Sequence, residues 1–374
     1  MKRFVKRIVL FALPFLLFAV GIVPFYLALT GTGELGVLEE SIEKQRQEHE
    51  TLLGLGYNED TCYYKLINAE HYQADVLALG TSRVMQLKDS FFQDSFYNCG
   101  GAVSGNYNEY RNFLQNLNYK PKLILLGLDT WVFNDEWNKQ VWDYETYREI
   151  HSANRSRGAV LKQVIQDWRS KKWAFGDLRN YPQNIGFNGR VKDVGFLFDG
   201  SYYYGDIYRQ TDAEPERLLA DTMNRIENGD NRFEWGEHID PDTLRQMEAL
   251  LSYCKENEIE VAAFLTPFAP SIYSEMEACG NYGYMTEIMP ACTELFEKYQ
   301  YEIYDYADGA ALGVTDAYFV DGFHGSEVTY AYLLKDMAAK NQSVRDAVDL
   351  KKMDELICGR YSEKVFFDPD ERHG

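Results

Sequence analysis

Residues 75–83 read Asp-Val-Leu-Ala-Leu-Gly-Thr-Ser-Arg. A short apolar run ends on a glycine and passes straight into hydroxyl side chains. An unbroken run of this kind suits a strand buried on both faces, as in a parallel sheet, rather than a half-exposed strand with alternating polarity. Four further runs have the same character: Ser95–Asn98, Lys122–Asp129, Glu258–Thr266 and Tyr301–Tyr306. Patterns of helical period lie between or after them, at Asn106–Leu117, Asp240–Asn257, Tyr284–Tyr299 and Ser326–Asn341. Pro241 falls in the first turn of its helix, where the missing N–H costs nothing. Strands alternating with helices predict an α/β fold with a central parallel sheet and right-handed crossovers.

The chain has 374 residues, 45% of them hydrophobic, which suffices for one domain of roughly 300 residues with an appendage. The appendage is N-terminal. Lys2, Arg3, Lys6 and Arg7 precede an uncharged run of 22 residues, Ile8 to Leu29. That length crosses a bilayer, and the cations hold the short N-terminal tip on the cytoplasmic side. The expected topology is a single-pass cell-membrane protein with its C-terminal domain extracytoplasmic. A cleaved signal peptide is the other reading, but its apolar core is shorter and no Ala-x-Ala site follows Tyr26. The remainder holds 34 basic against 58 acidic residues, −24. Such a body repels phosphate backbones, so no nucleic-acid partner is expected. Gly31-Thr-Gly-Glu-Leu-Gly36 matches a dinucleotide-binding pattern letter for letter. A membrane segment stands where that motif needs a buried strand, and the stretch reads instead as a flexible exit from the bilayer. Glu39–Leu53 reads as a charged helix, either a stalk or a helix lying on the domain. The expected organisation is therefore a tip and anchor (1–30), a stalk (31–60), the α/β domain (61–344) with an insertion at about 135–240, and a charged C-terminal tail (345–374). The insertion is rich in Tyr, Trp, Asn and Gly, and two readings stay open for it: a lid or substrate-binding cap, or a second structural layer. Of the six cysteines, Cys279 and Cys292 are spaced for an extracellular disulfide, with isolated thiols as the alternative.

In an open α/β sheet, ligands bind beyond the carboxyl ends of the strands, so the residues directly after each strand carry the search. Ser82 and Arg83 follow the first. Ser82 is placed either as a nucleophile, with helix-start N–H groups stabilising an oxyanion, or simply as a helix cap. The second strand leads into Asn98-Cys-Gly-Gly-Ala-Val-Ser-Gly105, whose glycines permit close backbone approach. The third ends at Asp129, with Asn134 shortly after. Asp321-Gly-Phe-His324, between the last strand and the last long helix, supplies an imidazole base and an acid to orient it. No other histidine has metal-ligand spacing, and no zincin, P-loop or Gly-x-Ser-x-Gly motif occurs. Neither a metal nor a cofactor is expected.

Gly80-Thr81-Ser82, the glycine of the second block (Gly105, with Gly101 as the other candidate) and Asp321-x-x-His324 together resemble the SGNH (GDSL-like) hydrolase superfamily. The likeness covers roughly residues 72–134 and 258–342. It implies a flavodoxin-like three-layer sandwich and a Ser82–His324–Asp321 triad. The oxyanion hole would be drawn from the Ser82 and Gly105 N–H groups, with Gly101, Asn134, Asp129 and Arg83 as further oxyanion or substrate-binding candidates. The third block departs from the family. Where the family has Asn, this chain has Asp129, which donates no hydrogen bond when ionised. Either backbone N–H groups suffice, or Asn134 substitutes, or activity is weak. The Gly-Thr-Ser-Arg form behind an N-terminal anchor is similar to the cell-envelope branch, which includes proteins of teichoic acid D-alanylation and alginate O-acetylation. That resemblance implies an esterase or O-acyltransferase acting on ester-linked acyl groups of a cell-surface glycan or acyl donor, with a multipass membrane O-acyltransferase as partner. The alternative it leaves is an inactive protein of the same fold that binds glycan or scaffolds such a complex.

Overall fold

The computed structural model describes residues 2–57, 59–137, 157–209 and 215–373. Its contacts divide the chain into two compact units. The larger comprises Thr61–Ile150, Asp199–Tyr202 and Ile207–Gly374, and the smaller Met1–Asp60, His151–Phe198 and Tyr203–Asp206.

The larger unit is built on five strands: β1 (Val76–Leu79), β2 (Phe96–Asn98), β3 (Leu123–Leu128), β4 (Glu260–Leu265) and β5 (Glu302–Asp305). They form one parallel sheet in the order β2-β1-β3-β4-β5. All five coincide with the expected runs, but β5 is an edge strand whose Glu302 and Asp305 are exposed, and the other four are the buried ones. Side chains alternate across a strand, so an unbroken apolar run needs cover on both faces. Both faces have it. Leu77, Leu79, Ile124, Leu126 and Leu128 point into one core, with Tyr107, Phe113, Leu250, Met276 and Phe296 from the helices Tyr107–Asn116, Pro241–Glu256, Pro270–Cys279 and Met285–Lys298. Val76, Ala78, Leu123, Leu125 and Phe264 point into the other, under Val328, Leu334 and Met337 of the helix Glu327–Lys340. The N-terminal ends of these helices are capped as their sequences allow: Asn106, Asp240 and Ser326 each accept a backbone N–H from the first turn.

Three expectations are corrected, and one point left open is resolved. Residues 345–374, charged in composition, pack on the domain, a point the sequence left open. Val344, Ala347, Val348, Met353, Ile357 and Phe366 complete the second core, and the Ala347 carbonyl accepts the Gln93 and Asp94 N–H groups. Residues 31–60 are not a free stalk. The helix ends at Gln47, and Leu53 pairs with both Ile185 and Phe196 within the smaller unit. The glycine-rich exit is likewise ordered, because Glu34 is buried and its carboxylate accepts the N–H groups of Gly56, Tyr57 and Phe187. The expected insertion is shared. Residues 157–198 belong to the smaller unit, whereas the helix Pro215–Asn228 places Leu219 and Ile226 in the first core of the larger. Residues 138–156 and 210–214 of that insertion lie outside the described residues.

In the smaller unit, one helix, Lys2–Thr32, is long and apolar enough to cross a membrane. Most of it is exposed, and only its last turns, at Phe25 and Leu29, are buried.

Because Met353 is fully buried among the second-core residues, Met353→Ala is expected to destabilise the protein by roughly 2–5 kcal/mol in denaturant unfolding. A change within the scatter typical of exposed positions would show that the C-terminal segment is not part of the core.

Candidate active site

The chain leaves β1 at Leu79 and turns into a short 3-10 segment, Ser82–Val84, capped by Thr81. This puts Ser82 at the carboxyl end of the sheet. The loop after the short turn Asp316–Tyr318 brings His324 to it, with Ser82 Oγ and His324 Nε2 3.0 Å apart. On its other side the His324 ring meets Asp321, with Nδ1 2.9 Å from Oδ2 and 3.1 Å from Oδ1. A carboxylate facing Nδ1 holds the proton on that nitrogen, which leaves Nε2 to accept from the serine hydroxyl. Asp321 is itself fixed, because its Oδ1 accepts the N–H groups of Phe323 and His324. Its backbone carbonyl accepts from the buried Thr222 hydroxyl of the helix Pro215–Asn228. Burial opposes ionisation of Asp321, but the His324 ring and the two N–H donors outweigh it and hold the carboxyl down at about 2. The acid is therefore charged throughout the neutral range. The imidazole side chain is 17% exposed and the carboxylate 44%, so a substrate has access.

The backbone N–H groups of Ser82 and Gly105 have no hydrogen-bond partner among the described residues. Gly105 has φ +121°, and a Cβ there would sit 2.8 Å from Val132 Cγ2, so this position requires glycine. Gly101, the other candidate, is excluded as a donor because its N–H already bonds to the Gly80 carbonyl at 2.9 Å. Asn98 ties this loop down. Its buried side-chain amide donates to the carbonyls of Val84 and Leu87 and accepts from Gly100 N–H.

Three candidate residues have other roles. Both ends of the Asn134 amide are consumed locally, donating to Glu234 O at 2.7 Å and accepting from Glu136 N at 3.0 Å. The side chain is also fully buried, so it is not open to a substrate. Arg83 and Asp129 are buried beneath the serine turn rather than open to a substrate. Asp129 accepts from Thr81 Oγ1 at 2.7 Å and Thr266 Oγ1 at 2.8 Å, and lies 3.5 Å from Arg83 Nη1. Arg83 donates through Nε to the Phe323 carbonyl (2.9 Å) and through Nη2 to those of Thr266 (3.2 Å) and Pro267 (2.6 Å). Its guanidinium lies over the Phe268 and Phe323 rings at 4.0 and 4.7 Å. Burial lowers the Arg83 pKa and raises that of Asp129, and the charge of each draws the other back. Tyr330 completes the clamp by donating its hydroxyl to the Arg83 carbonyl.

Arg232 was not legible as a site residue. It is exposed, with its guanidinium 5.6 Å from the Trp131 ring and 5.9 Å from that of Phe323, the neighbour of His324. It has no ion pair or hydrogen bond among the described residues. Asn231 and Arg232 both have positive φ, 51° and 80°, an uncommon conformation for two successive non-glycine residues. The only local signal is the turn composition of Gly229-Asp-Asn231. A guanidinium held there suits a carboxylate or phosphate of a bound molecule. Cys279 and Cys292 are both free, which is the second of the two readings left open for them. Among the described residues no three His, Cys, Asp or Glu side chains cluster as metal ligands.

The buried pair makes a sharp prediction. Arg83→Met strands the Asp129 carboxylate and should cost about 3–5 kcal/mol of stability. Adding Asp129→Asn should then cost much less than the sum of the single variants. Additive losses in denaturant unfolding would show that the two charges do not stabilise each other.

The chain matches no protein-family model, no curated protein and no solved structure.

Proposed function

We propose that this chain is a membrane-anchored extracytoplasmic serine esterase or O-acyltransferase of the SGNH type, acting on ester-linked acyl groups of a cell-surface polysaccharide. The observation that carries the reading is the unbroken relay Ser82 Oγ–His324 Nε2–His324 Nδ1–Asp321, at 3.0 and 2.9 Å. It joins residues more than two hundred positions apart in the chain at the carboxyl end of a parallel sheet. The strand order β2-β1-β3-β4-β5 is compatible with the flavodoxin-like sandwich that the reading implies.

In this mechanism Ser82 Oγ attacks the acyl carbonyl while His324 Nε2 takes the hydroxyl proton. The N–H groups of Ser82 and Gly105 receive the developing oxyanion, each donor of this kind being worth roughly 100- to 1,000-fold. His324 returns the proton to the leaving alcohol or thiol, leaving an acyl-Ser82 ester. Water or a glycan hydroxyl then gives its proton to His324 and attacks that ester. Transfer of the proton back to Ser82 Oγ frees the product. Asp321 keeps the ring in the working tautomer throughout. A glycan bearing carboxylate or phosphate groups suits the exposed Arg232. The outward-facing topology, and a multipass O-acyltransferase as donor partner, belong to the same proposal.

A second reading, a non-catalytic glycan-binding or scaffolding protein, draws on the third block. Asp129 is committed to Arg83 and Asn134 to Glu234 and Glu136, so neither adds a side-chain donor to the oxyanion. Turnover of p-nitrophenyl acetate and of an O-acetylated glycan by the full-length protein separates the two. The enzyme reading predicts measurable turnover that falls by about four to six orders of magnitude, to background, in Ser82→Ala. Turnover unchanged in Ser82→Ala would overturn the mechanism, and no turnover by folded wild-type protein in membranes would favour the scaffold.

A further inference from the structure

The smaller unit carries a feature that the chemistry at Ser82 does not use. Taking the helix Lys2–Thr32 as the membrane span, its apolar stretch starts at Ile8, after the last N-terminal cation. A hydrocarbon core of about 30 Å takes about 20 helical residues at 1.5 Å each. The far boundary is then reached within a turn of Phe25. Here the helix ceases to be bare: Phe25 and Leu29 are buried, whereas the preceding turns are exposed. The covering groups are aromatic. Trp168 and Phe175 each lie 5.2 Å from the Phe25 ring, and Trp173 lies 6.2 Å from it. Trp173 is enclosed, but Trp168 and Phe175 remain 41% and 38% exposed.

Trp168 belongs to the helix Arg157–Arg169, which buries Val160 and Val164 in the cluster that holds Phe25 and Leu29. The rest of its surface is basic. From Arg157 to Lys172 the chain has five cations, Arg157, Lys162, Arg169, Lys171 and Lys172, against one acid, Asp167, in a protein of net charge −20. Asp167 pairs with Lys172 at 2.9 Å. The other four cations are exposed and have no carboxylate partner among the described residues. Exposed tryptophan and phenylalanine at the depth where a span leaves the hydrocarbon, flanked by unpaired Lys and Arg, have the composition of an interfacial membrane anchor.

We infer that the helix Arg157–Arg169 and the turn through Phe175 dock on the bilayer around the emerging N-terminal helix. Trp168 and Phe175 enter the headgroup layer, and the four free cations face anionic lipid phosphates. The occupant of this surface is the lipid of the same leaflet, which the charge of the segment matches and which is continuous with the span itself.

The test reconstitutes the full chain in phosphatidylcholine–phosphatidylglycerol vesicles whose acyl chains are brominated near the headgroup or near the bilayer centre. The expected result is stronger tryptophan quenching by the shallow bromines, with most of that quenching lost in Trp168→Phe. Phe175→Trp should add a shallowly quenched component, which keeps the test decisive if Trp168→Phe fails to fold. Charge reversal at Arg169 and Lys171 should lower quenching more in the anionic vesicles than in pure phosphatidylcholine. Shallow quenching equal in wild type and Trp168→Phe would overturn the inference. Protein that floats with the vesicles but is not quenched would also overturn it, and would reassign the surface to a protein partner.

Discussion

The arrangement of the site depends on one buried ion pair. Arg83 and Asp129 lie under the turn that carries Ser82, removed from solvent. Taking two charges out of water is expensive, and the cost is offset only where their remaining hydrogen-bonding positions are filled. Here they are largely filled by functional neighbours. Asp129 takes the Thr81 hydroxyl, one residue before Ser82, and Arg83 gives its Nε to the carbonyl of Phe323, one residue before His324. A planar guanidinium has a rigid fork geometry. The gap between the serine turn and the histidine loop is therefore set by one side chain, and the 3.0 Å contact between Ser82 and His324 follows from it. Asp129, which stands where the resembled SGNH pattern has asparagine, is the acid that faces Arg83 in this clamp.

The sheet explains why the clamp sits where it does. In the order β2-β1-β3-β4-β5, the chain leaves β1 toward one edge and β3 toward the other, so the crevice outside these two strands is unobstructed by their own connections. Ser82 follows β1 and Asp129 follows β3, on either side of that crevice. Thr266 and Pro267, which accept from Arg83, follow β4. Three adjacent strand ends thus converge on one guanidinium, and the loop bearing His324 is drawn in over them.

Much of this was legible in the sequence, for identifiable reasons. Four of the five strands are short, mostly apolar and buried runs, and three of the four helices that follow carry a cap residue at their start, so the limits of these elements fall within two residues of those expected. Ser82, Asp321 and His324 were legible because each sits next to such an element. Arg83 was misread because a charged residue after a strand looks open to substrate, and its burial depends on partners as distant as Thr266 and Phe323. Asn134 was read as a substitute for the asparagine that the third block lacks, and its amide is taken instead by Glu234, a hundred residues away. Charge hid the C-terminal segment: Val344, Ala347, Met353 and Ile357 are spaced among acids and lysines that dominate its composition. Arg232 left no trace beyond the turn composition before it, because its place beside Trp131 and Phe323 is tertiary.

The central claim is that Ser82 is an activated nucleophile held against its base. A fluorophosphonate probe, applied to the full-length protein in membranes and mapped by mass spectrometry, tests this most directly. The account predicts covalent modification at Ser82, absent in Ser82→Ala and strongly slowed in His324→Ala. Folded wild-type protein that takes no label at Ser82, or labels equally fast without His324, would contradict it.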